Sequence, residues 1–259
     1  VLIYVFQKHL KGKAGWISTG AAGSSVLLIL SMAKNVLDGY NSGEGSIVYE
    51  YPWIVPIDIK FGFLVDVVSL PIGLIIAVIS TLSCFYSVKY MSNEENLPFY
   101  YMNLLLFMTG MMGVVFSINL IEFYLFWELM LIPSWAMIIR WGTPGRAQRA
   151  GFKYFMYTQF GSICLLIAIS LTWFLSAEAA TPTFNIFDLT IPVSILSQLA
   201  VALYMIGFAI KMAIFPLHTW LPDAHGEAPT PVSAILSGVM IETAAYAMIR
   251  IPVQIFGTT

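Results

Sequence analysis

The sequence predicts an all-α, polytopic membrane protein folded as a bundle of helices. Of its 259 residues, 59% are hydrophobic and 10% are charged, and the mean hydropathy is +0.82. A soluble domain carries about 25% charged residues, so we expect most of this surface to face lipid. Apolar runs that cross hydrocarbon must satisfy their own backbone hydrogen bonds, which favours helices. This composition excludes a soluble enzyme, and a net charge of −2 gives no attraction to nucleic acid.

Eight apolar runs follow one another along the chain, and the first, 1–6, is only the end of a helix. The seven complete spans are predicted at 16–33, 67–86, 99–118, 120–139, 154–175, 192–221 and 231–252. The polar stretch 34–60 separates the first two of them. Alternating apolar residues at Ile57, Ile59, Phe61 and Phe63 indicate a strand or hairpin outside the membrane there.

The cations predict the orientation in the bilayer. If the first loop is cytoplasmic, alternate loops collect eight of the twelve basic residues: Lys8, Lys11, Lys13, Lys89, Arg140, Arg146, Arg149 and Lys153. The opposite loops hold only Lys34 and Lys60. Because cytoplasmic loops are rich in Lys and Arg, we expect loop 140–153 to face the cytoplasm. The prediction is a multi-pass protein of the cell (inner) membrane, and loop 34–66 is extracytoplasmic.

No redox cofactor is expected in this chain. Its two cysteines, Cys84 and Cys164, lie inside apolar runs and are interpreted as buried structural thiols. The sequence has no Cys cluster for iron–sulfur ligation, no pair of mid-membrane histidines for haem and no Gly-rich dinucleotide turn. The chain is therefore expected to move charge without carrying out redox chemistry itself.

Three ionisable residues fall where the pattern places hydrocarbon. Glu128 lies about 12 Å into the fifth span and Glu242 about 16 Å into the eighth, at 1.5 Å per residue. Lys211 lies inside the seventh apolar run. Each such group costs about 2.5–3.5 kcal/mol to insert, so it usually faces a bundle interior or a wet cavity. They form either a proton relay or buried pairs that lock helices together.

The seventh run is too long for one straight span. Thirty residues would make about 45 Å of helix, and Pro216 lies inside the run. We expect the helix to break just after Lys211, with unwound backbone buried in protein or lining water, as at ion sites in transporters. His218, seven residues further on, either extends the relay or satisfies the hydrogen bonds of the break.

Other polar residues have less specific interpretations. Asp223, His225 and Glu227 could bind a metal, but a capped turn next to Pro and Gly is the favoured reading. Glu122, two residues into the fifth span, is expected at the membrane interface or at a channel mouth. Arg250, near the end of the eighth span, is expected to reach the lipid headgroups.

These residues form motifs that resemble a known family. The motifs are FWELMLIP at 126–133, Lys211-Met212, PLHTWLPDAH at 216–225, APTPVS at 228–233 and LSGV at 236–239. They are similar to the antiporter-type membrane subunits of respiratory complex I, nearest to the subunit M (chain 4) type, including archaeal deazaflavin-linked versions. Mrp cation/proton antiporters and membrane-bound hydrogenases share the fold.

The resemblance implies a domain plan and a set of site residues. Residues 1–98 would hold the N-terminal helices, and 99–259 the first of two inverted five-helix repeats. The chain begins at Val1 without an initiator methionine, and we expect an internal fragment that lacks the second repeat. Glu128 matches the family's fifth-helix Glu and Lys211 its seventh-helix Lys. Glu242 stands where subunit M typically has Lys; it could bind the Lys211 ammonium, pass protons or help to coordinate Na⁺.

The resemblance also implies a function and partners. The hypothesis is a proton-translocating subunit, part of an enzyme only within an NADH (or similar donor):quinone oxidoreductase. Its partners would be other membrane subunits, the lipid bilayer and, indirectly, a soluble iron–sulfur and flavin arm. The alternatives are a subunit of a stand-alone Mrp-type antiporter or membrane-bound hydrogenase, and a structural scaffold whose buried charges serve assembly.

Overall fold

Helices account for most of the chain, and a two-stranded hairpin lies at one end of them. The computed structural model describes residues 2–5, 13–42, 45–55, 59–178, 182–189 and 191–256. The helices are α1 (Leu2–Val5), α2 (Ala14–Ser42), α3 (Ser69–Tyr90), α4 (Leu97–Phe116), α5 (Leu120–Trp141), α6 (Arg146–Glu178), α7 (Ile195–Lys211), α8 (Trp220–Glu227) and α9 (Thr230–Phe256). Two strands, β1 (Ser46–Ile54) and β2 (Ile59–Asp66), follow α2.

The predicted bundle of membrane-spanning helices is confirmed. Within the described residues, six helices are long and apolar enough to cross a bilayer: α2, α3, α4, α5, α6 and α9. The seventh predicted span is the shorter apolar helix α7 of 17 residues. The last helix, α9, contains two π-helical segments, Leu236–Met240 and Ile249–Val253, on either side of Ile241–Met248. Such wide turns are frequent at functional sites.

Two helices extend beyond the predicted apolar runs. Residues 34–60 were predicted to separate two spans, and this prediction is wrong for the first part of the stretch. Helix α2 continues to Ser42 and packs Val36 into the core. Likewise α6 begins at Arg146, eight residues before its apolar run. Ala, Arg, Gln and Lys form helices well, so hydropathy marks where lipid begins and not where a helix begins.

The predicted hairpin is present, and it covers the start of α5. Strands β1 and β2 pair antiparallel, with Tyr49 opposite Phe63. Strand β2 buries its inward residues, whereas β1 is largely exposed. The Asn119 side chain, just before α5, donates to the Lys60 carbonyl at 2.7 Å. Ile57, part of the predicted alternation, lies outside the described residues.

Close packing of α6 against α7 positions the centre of the bundle. A Cβ on Gly207 would lie 2.8 Å from the Gly161 carbonyl oxygen, so only glycine permits this approach. Small residues allow membrane helices to pack closely in this way. The two cysteines are buried and unpaired, as predicted: Cys84 on α3 and Cys164 on α6.

Contacts between loops confirm that the helices alternate in direction. At one end, the Thr230 hydroxyl donates to the Tyr90 hydroxyl at 3.1 Å, and the Thr143 amide donates to Glu227 at 2.8 Å. At the other end, Asn119 forms an isolated β-bridge with Asn185. The loops predicted to share a side of the membrane therefore meet at the same end of the bundle.

Candidate functional site

Helix α7 ends at Lys211, where the sequence predicts the break. Ala213 takes the left-handed conformation, with φ +53°, and reverses the chain. Its amide donates to the Ile210 carbonyl at 3.1 Å, and the Ile214 amide donates to the Ala209 carbonyl at 2.9 Å. This pair of bonds is the Schellman pattern that satisfies carbonyls at a helix end.

A tryptophan closes the inner side of the break. Trp220, the first residue of α8, is fully buried, and its indole Nε1–H donates to the Ile210 carbonyl at 2.9 Å. The outer side differs, because Ile214 and Phe215 are exposed, Phe215 by 81%. The expectation that protein or water surrounds the unwound backbone therefore holds only on the side of Lys211.

Lys211 is buried at this helix end with an exposure of 2%. Its Nζ lies 4.9 Å from the centroid of the Trp127 ring, a cation–π distance. The C-terminal end of a helix also favours a cation, because the macrodipole is negative there. None of the ion pairs among the described residues includes Lys211.

Glu128 lies on α5 directly after Trp127, whose ring faces the Lys211 ammonium. The carboxylate is half-buried, and its buried Oε1 atom has no hydrogen-bond partner among the described residues. The structure thus places the α5 segment that carries Glu128 against the end of α7 through the Trp127 ring.

The other two predicted relay residues are Glu242 and His218. Glu242 is exposed on α9 in the described chain, and its role in the relay stays a prediction. The residues that pack inward from the same turn are Thr243 and Ala244. His218 is half-buried in the break, with a buried Nδ1 that has no partner in the described structure. Its ring lies 5.6 Å from that of Phe215.

Glu122 is completely buried near the start of α5, and its position at the membrane interface stays a prediction. The hairpin covers this end of α5, so the carboxylate lies under protein. Its Oε2 accepts from the Asn119 side chain at 3.2 Å and from the Gly62 amide at 3.4 Å. Asn119 Oδ1 accepts in return from the Glu122 amide at 2.8 Å, which caps the helix. Oε1 has no partner within the described part of the chain.

Arg250 pairs with a carboxylate, so the prediction that it reaches the headgroups is wrong. Its Nη2 lies 2.6 Å from Asp66 Oδ2, and its guanidinium carbon lies 4.8 Å from the Phe187 ring centroid. Burial by itself would raise the pKa of Asp66, but the Ser69 amide and Arg250 outweigh it and hold this pKa below its usual value. This clamp joins the end of β2 to α9.

The side chains of the possible metal triplet in α8 turn to separate partners. Asp223 pairs with Lys153 at 2.8 Å, and His225 Nδ1 lies 2.7 Å from the Ser233 hydroxyl. No group of three or more metal-binding side chains occurs among the described residues. The capped-turn interpretation fits Glu227 in particular, which accepts from the Thr143 amide and pairs with an arginine.

We expect Glu227→Gln to loosen the connection between α5 and α6 in a pH-dependent way. The hydrogen bond from the Thr143 amide is the main cause that holds the pKa of Glu227 below its usual value. The Arg146 guanidinium, whose Nε lies 2.8 Å from Glu227 Oε1, acts in the same direction. The stabilisation by Glu227 is therefore present above about pH 4.3 and is lost as the pH falls through the lower native pKa. Trypsin cleavage at Arg146 should be faster in the variant at pH 7. The thermal midpoint should differ from wild type more at pH 7 than near pH 3.

Glu50→Gln is the control, since Glu50 forms an exposed ion pair with Lys60. It should leave cleavage at Arg146 unchanged. An equal loss of thermal stability at both pH values in Glu227→Gln would contradict the role of its charge.

Comparison with known proteins agrees with this geometry. Residues 117–258 match the family described as NADH:quinone oxidoreductase/Mrp antiporter, transmembrane. The chain belongs to this family. Residues 53–101 match the N-terminal region of complex I chain 5. The family resemblance seen in the motifs is therefore confirmed. The prediction of a membrane-embedded protein is confirmed as well.

The relatives are longer than this chain. NAD(P)H-quinone oxidoreductase chain 4 of Nostoc sp. is 36% identical over 238 residues, which cover 91% of this chain and 43% of the relative. NADH-quinone oxidoreductase subunit M of Escherichia coli is 32% identical over 254 residues, covering 93% and 49%. The solved Mrp complex of Dietzia sp. superimposes with a TM-score of 0.80 at 22% identity, covering 99% of this chain and 48% of that one, which shows a shared fold.

Sequence reasoning missed the roles of two side chains. Trp127 was quoted only as part of the FWELMLIP motif, yet its ring faces the Lys211 ammonium. Asp66 was not singled out, yet at the end of β2 it is the partner of Arg250. Apolar and loop residues give little chemical signal in one sequence, although an aromatic directly before a buried carboxylate is a usable hint.

Proposed function

We propose that this chain is a proton-translocating membrane subunit of a redox-driven, complex I-like dehydrogenase. Protons would pass through a half-channel in which Glu128 and Lys211 are the coupled groups. The observation that supports this most is the buried Lys211 ammonium at a broken helix, facing the Trp127 ring next to Glu128 on α5. Buried ionisable groups beside a broken helix are typical of ion pathways.

Coupling between the two charges supplies the mechanism. While Glu128 is ionised, its negative charge stabilises the nearby Lys211 ammonium. When Glu128 takes up a proton, the ammonium loses that stabilisation in a place that water reaches poorly, and it releases its own proton more readily. Uptake at one group thus promotes release at the other. Each charge moved across the membrane stores about 2.3 kcal/mol per 100 mV, which redox chemistry in other subunits would supply.

Glu242 and His218 would act as outer groups of the relay. Glu242 is exposed on α9, so a proton or cation could leave this half of the bundle through it. His218 has a free buried Nδ1 in the break, one residue before the Thr219–Trp220 turn into α8. An imidazole has two ring nitrogens, so one can accept a proton while the other donates one.

Glu128→Gln tests this function in the intact complex, reconstituted in sealed vesicles. We expect proton translocation to fall about 100-fold or more, the range for losing a general acid–base group, with the complex still assembled. Glu122→Gln is the matched control: it makes the same change on the same helix, but the described contacts of Glu122 are with the hairpin and the helix cap. It should pump normally.

Normal translocation by Glu128→Gln would refute the proposal, and loss of assembly together with pumping would favour the scaffold. The alternative complex, an Mrp-type antiporter, shares the fold of this chain. Purification with the other subunits distinguishes the two: soluble iron–sulfur and flavin subunits indicate the dehydrogenase.

A further inference from the structure

A buried tyrosine on α6 contacts α5, α9 and the first residue of α8, which follows the break in α7. Tyr154 is fully buried, and its hydroxyl lies 2.8 Å from the Ser134 hydroxyl of α5. On its other side the same hydroxyl donates to the Met240 sulfur of α9 at 3.7 Å. The Tyr154 ring lies 5.1 Å from the ring of Trp220 at the break. Helix α6 carries none of the predicted relay residues.

Each contact of this tyrosine lies close to one relay residue along the chain. Ser134 follows Glu128 by six residues on α5, directly after Pro133. Met240 precedes Glu242 by two residues and ends a π-helical segment. Trp220 donates to the carbonyl of Ile210, the residue before Lys211. The contacts of Tyr154 therefore lie six residues from Glu128, two residues from Glu242 and, through Trp220, one residue from Lys211.

The hydroxyl groups can be arranged in two ways. Ser134 has one hydroxyl proton, and the carbonyls of Met130 and Leu131 accept it at 2.7 and 2.9 Å. In that arrangement the Tyr154 hydroxyl donates its one proton to Ser134 and therefore does not donate to the Met240 sulfur. In the other arrangement Ser134 donates to Tyr154, which then donates to Met240. Buried chains of this kind hold two discrete states with little rearrangement.

We propose that Tyr154 is a positioning residue for proton transfer, acting through its bond to Ser134 and its contact with Trp220. The inference rests on the proposed function, because it concerns the geometry of Glu128 and Lys211. Tyr154 touches neither proton-carrying group. It holds the Pro133 region of α5 and the broken end of α7 in one register, so that the charges of Glu128 and Lys211 stay coupled.

Tyr154→Phe tests the role of the hydroxyl in the complete complex, since it removes one oxygen atom and keeps the ring against Trp220. We expect assembly at the wild-type level and proton translocation reduced about fivefold, the population change for one hydrogen bond of typical net strength. The pH of half-maximal translocation should also shift by about half a unit or more. A role in stability alone would leave that pH unchanged.

Tyr100→Phe is the matched control. Tyr100 is also fully buried, and its hydroxyl lies 2.9 Å from the Ser87 hydroxyl, between α4 and α3. It should leave the rate and pH profile of translocation unchanged. Ser134→Ala removes the other end of the Tyr154 bond and should reproduce the effect of Tyr154→Phe. The double variant Tyr154→Phe/Ser134→Ala should fall no further than either single variant, because both remove the same bond.

Three outcomes would overturn the inference: an unchanged rate and pH profile in Tyr154→Phe, a loss of assembly that accounts for the whole loss of rate, or equal effects of Tyr100→Phe. Glu128→Gln, measured in the same vesicles, separates this result from the larger proposal. If Glu128→Gln pumps normally, the proposed function fails. If Glu128→Gln is inactive and Tyr154→Phe behaves as wild type, only the positioning role fails.

Discussion

Lys211→Met is expected to abolish proton translocation, with a loss of about 100-fold or more. Methionine keeps most of the length of the lysine stem and packs against Trp127, but it has no proton to give. Lys211 is 2% exposed, and its Nζ lies 4.9 Å from the centroid of the Trp127 ring. Bulk water therefore does not reach this position to carry the proton in its place. The measurement is acidification of sealed vesicles that contain the reconstituted complex.

The stability of Lys211→Met provides the second half of this prediction. Burying an ammonium is costly, and none of the ion pairs among the described residues includes Lys211, so an apolar replacement of similar volume is expected to be neutral or stabilising. Loss of transport without loss of thermal stability would therefore separate a proton-carrying role from a structural one. Lys211→Arg keeps the charge but holds its proton at every accessible pH. It should assemble and remain inactive.

The controls make this prediction easy to contradict. Lys153→Met removes the cation of a partly exposed pair with Asp223 and should pump at close to the wild-type rate. If Lys211→Arg pumps like the wild type, a permanent positive charge suffices and proton release from Lys211 is not part of the mechanism. If Lys211→Met pumps, the residue is not required at all.

Breaking the Asp66–Arg250 clamp is expected to cost about 3 kcal/mol of stability. The side chains are only 13% and 18% exposed, and Arg250 also covers the Phe187 ring. Asp66→Asn leaves the guanidinium without its counter-charge in a poorly solvated place, and Arg250→Gln does the same to the carboxylate. The double variant Asp66→Asn/Arg250→Gln should recover most of the loss, because no unpaired charge remains.

Thermal unfolding of the purified complex measures this clamp, and its pH dependence gives a further check. The pKa of Asp66 is lowered in the folded chain, so the stabilisation is present above the unfolded value of about 3.9. It is lost as the pH falls through the lower native value. Lys60→Gln breaks the exposed pair with Glu50 and should cost less than about 1 kcal/mol. Losses that simply add in the double variant would contradict a coupled pair.

Much of the architecture follows from local pattern. Apolar runs predicted the spanning helices, because lipid selects for length and hydropathy more strictly than water does. Pro216 and the excess length of run 192–221 predicted the break after Lys211, since proline removes a backbone donor. Helix ends were less predictable: α2 and α6 continue into polar sequence, where helix propensity and not hydropathy sets the limit.

The candidate site was predictable in type but only partly in arrangement. Glu128 and Lys211 stood out because a charge in hydrocarbon is costly and needs a reason. The same reasoning placed Glu242 inside the bundle. In the described chain its side chain is exposed on α9, whereas the next two residues, Thr243 and Ala244, are buried. Glu122 and Arg250 were assigned to the membrane interface by their distance from a helix end, but the hairpin and Asp66 lie over those ends.

The sequence by itself determined that lipid faces most of this protein and that its fold is helical. It also determined the break in α7 and the residue types that can carry protons. These properties depend on composition and on neighbours within a few turns of the same helix. Only the tertiary structure decided which charges meet, that Trp127 faces Lys211, and that Tyr154 joins α5, α9 and the break. Such contacts depend on the rotation and register of whole helices, and these are set by packing between segments far apart in the chain.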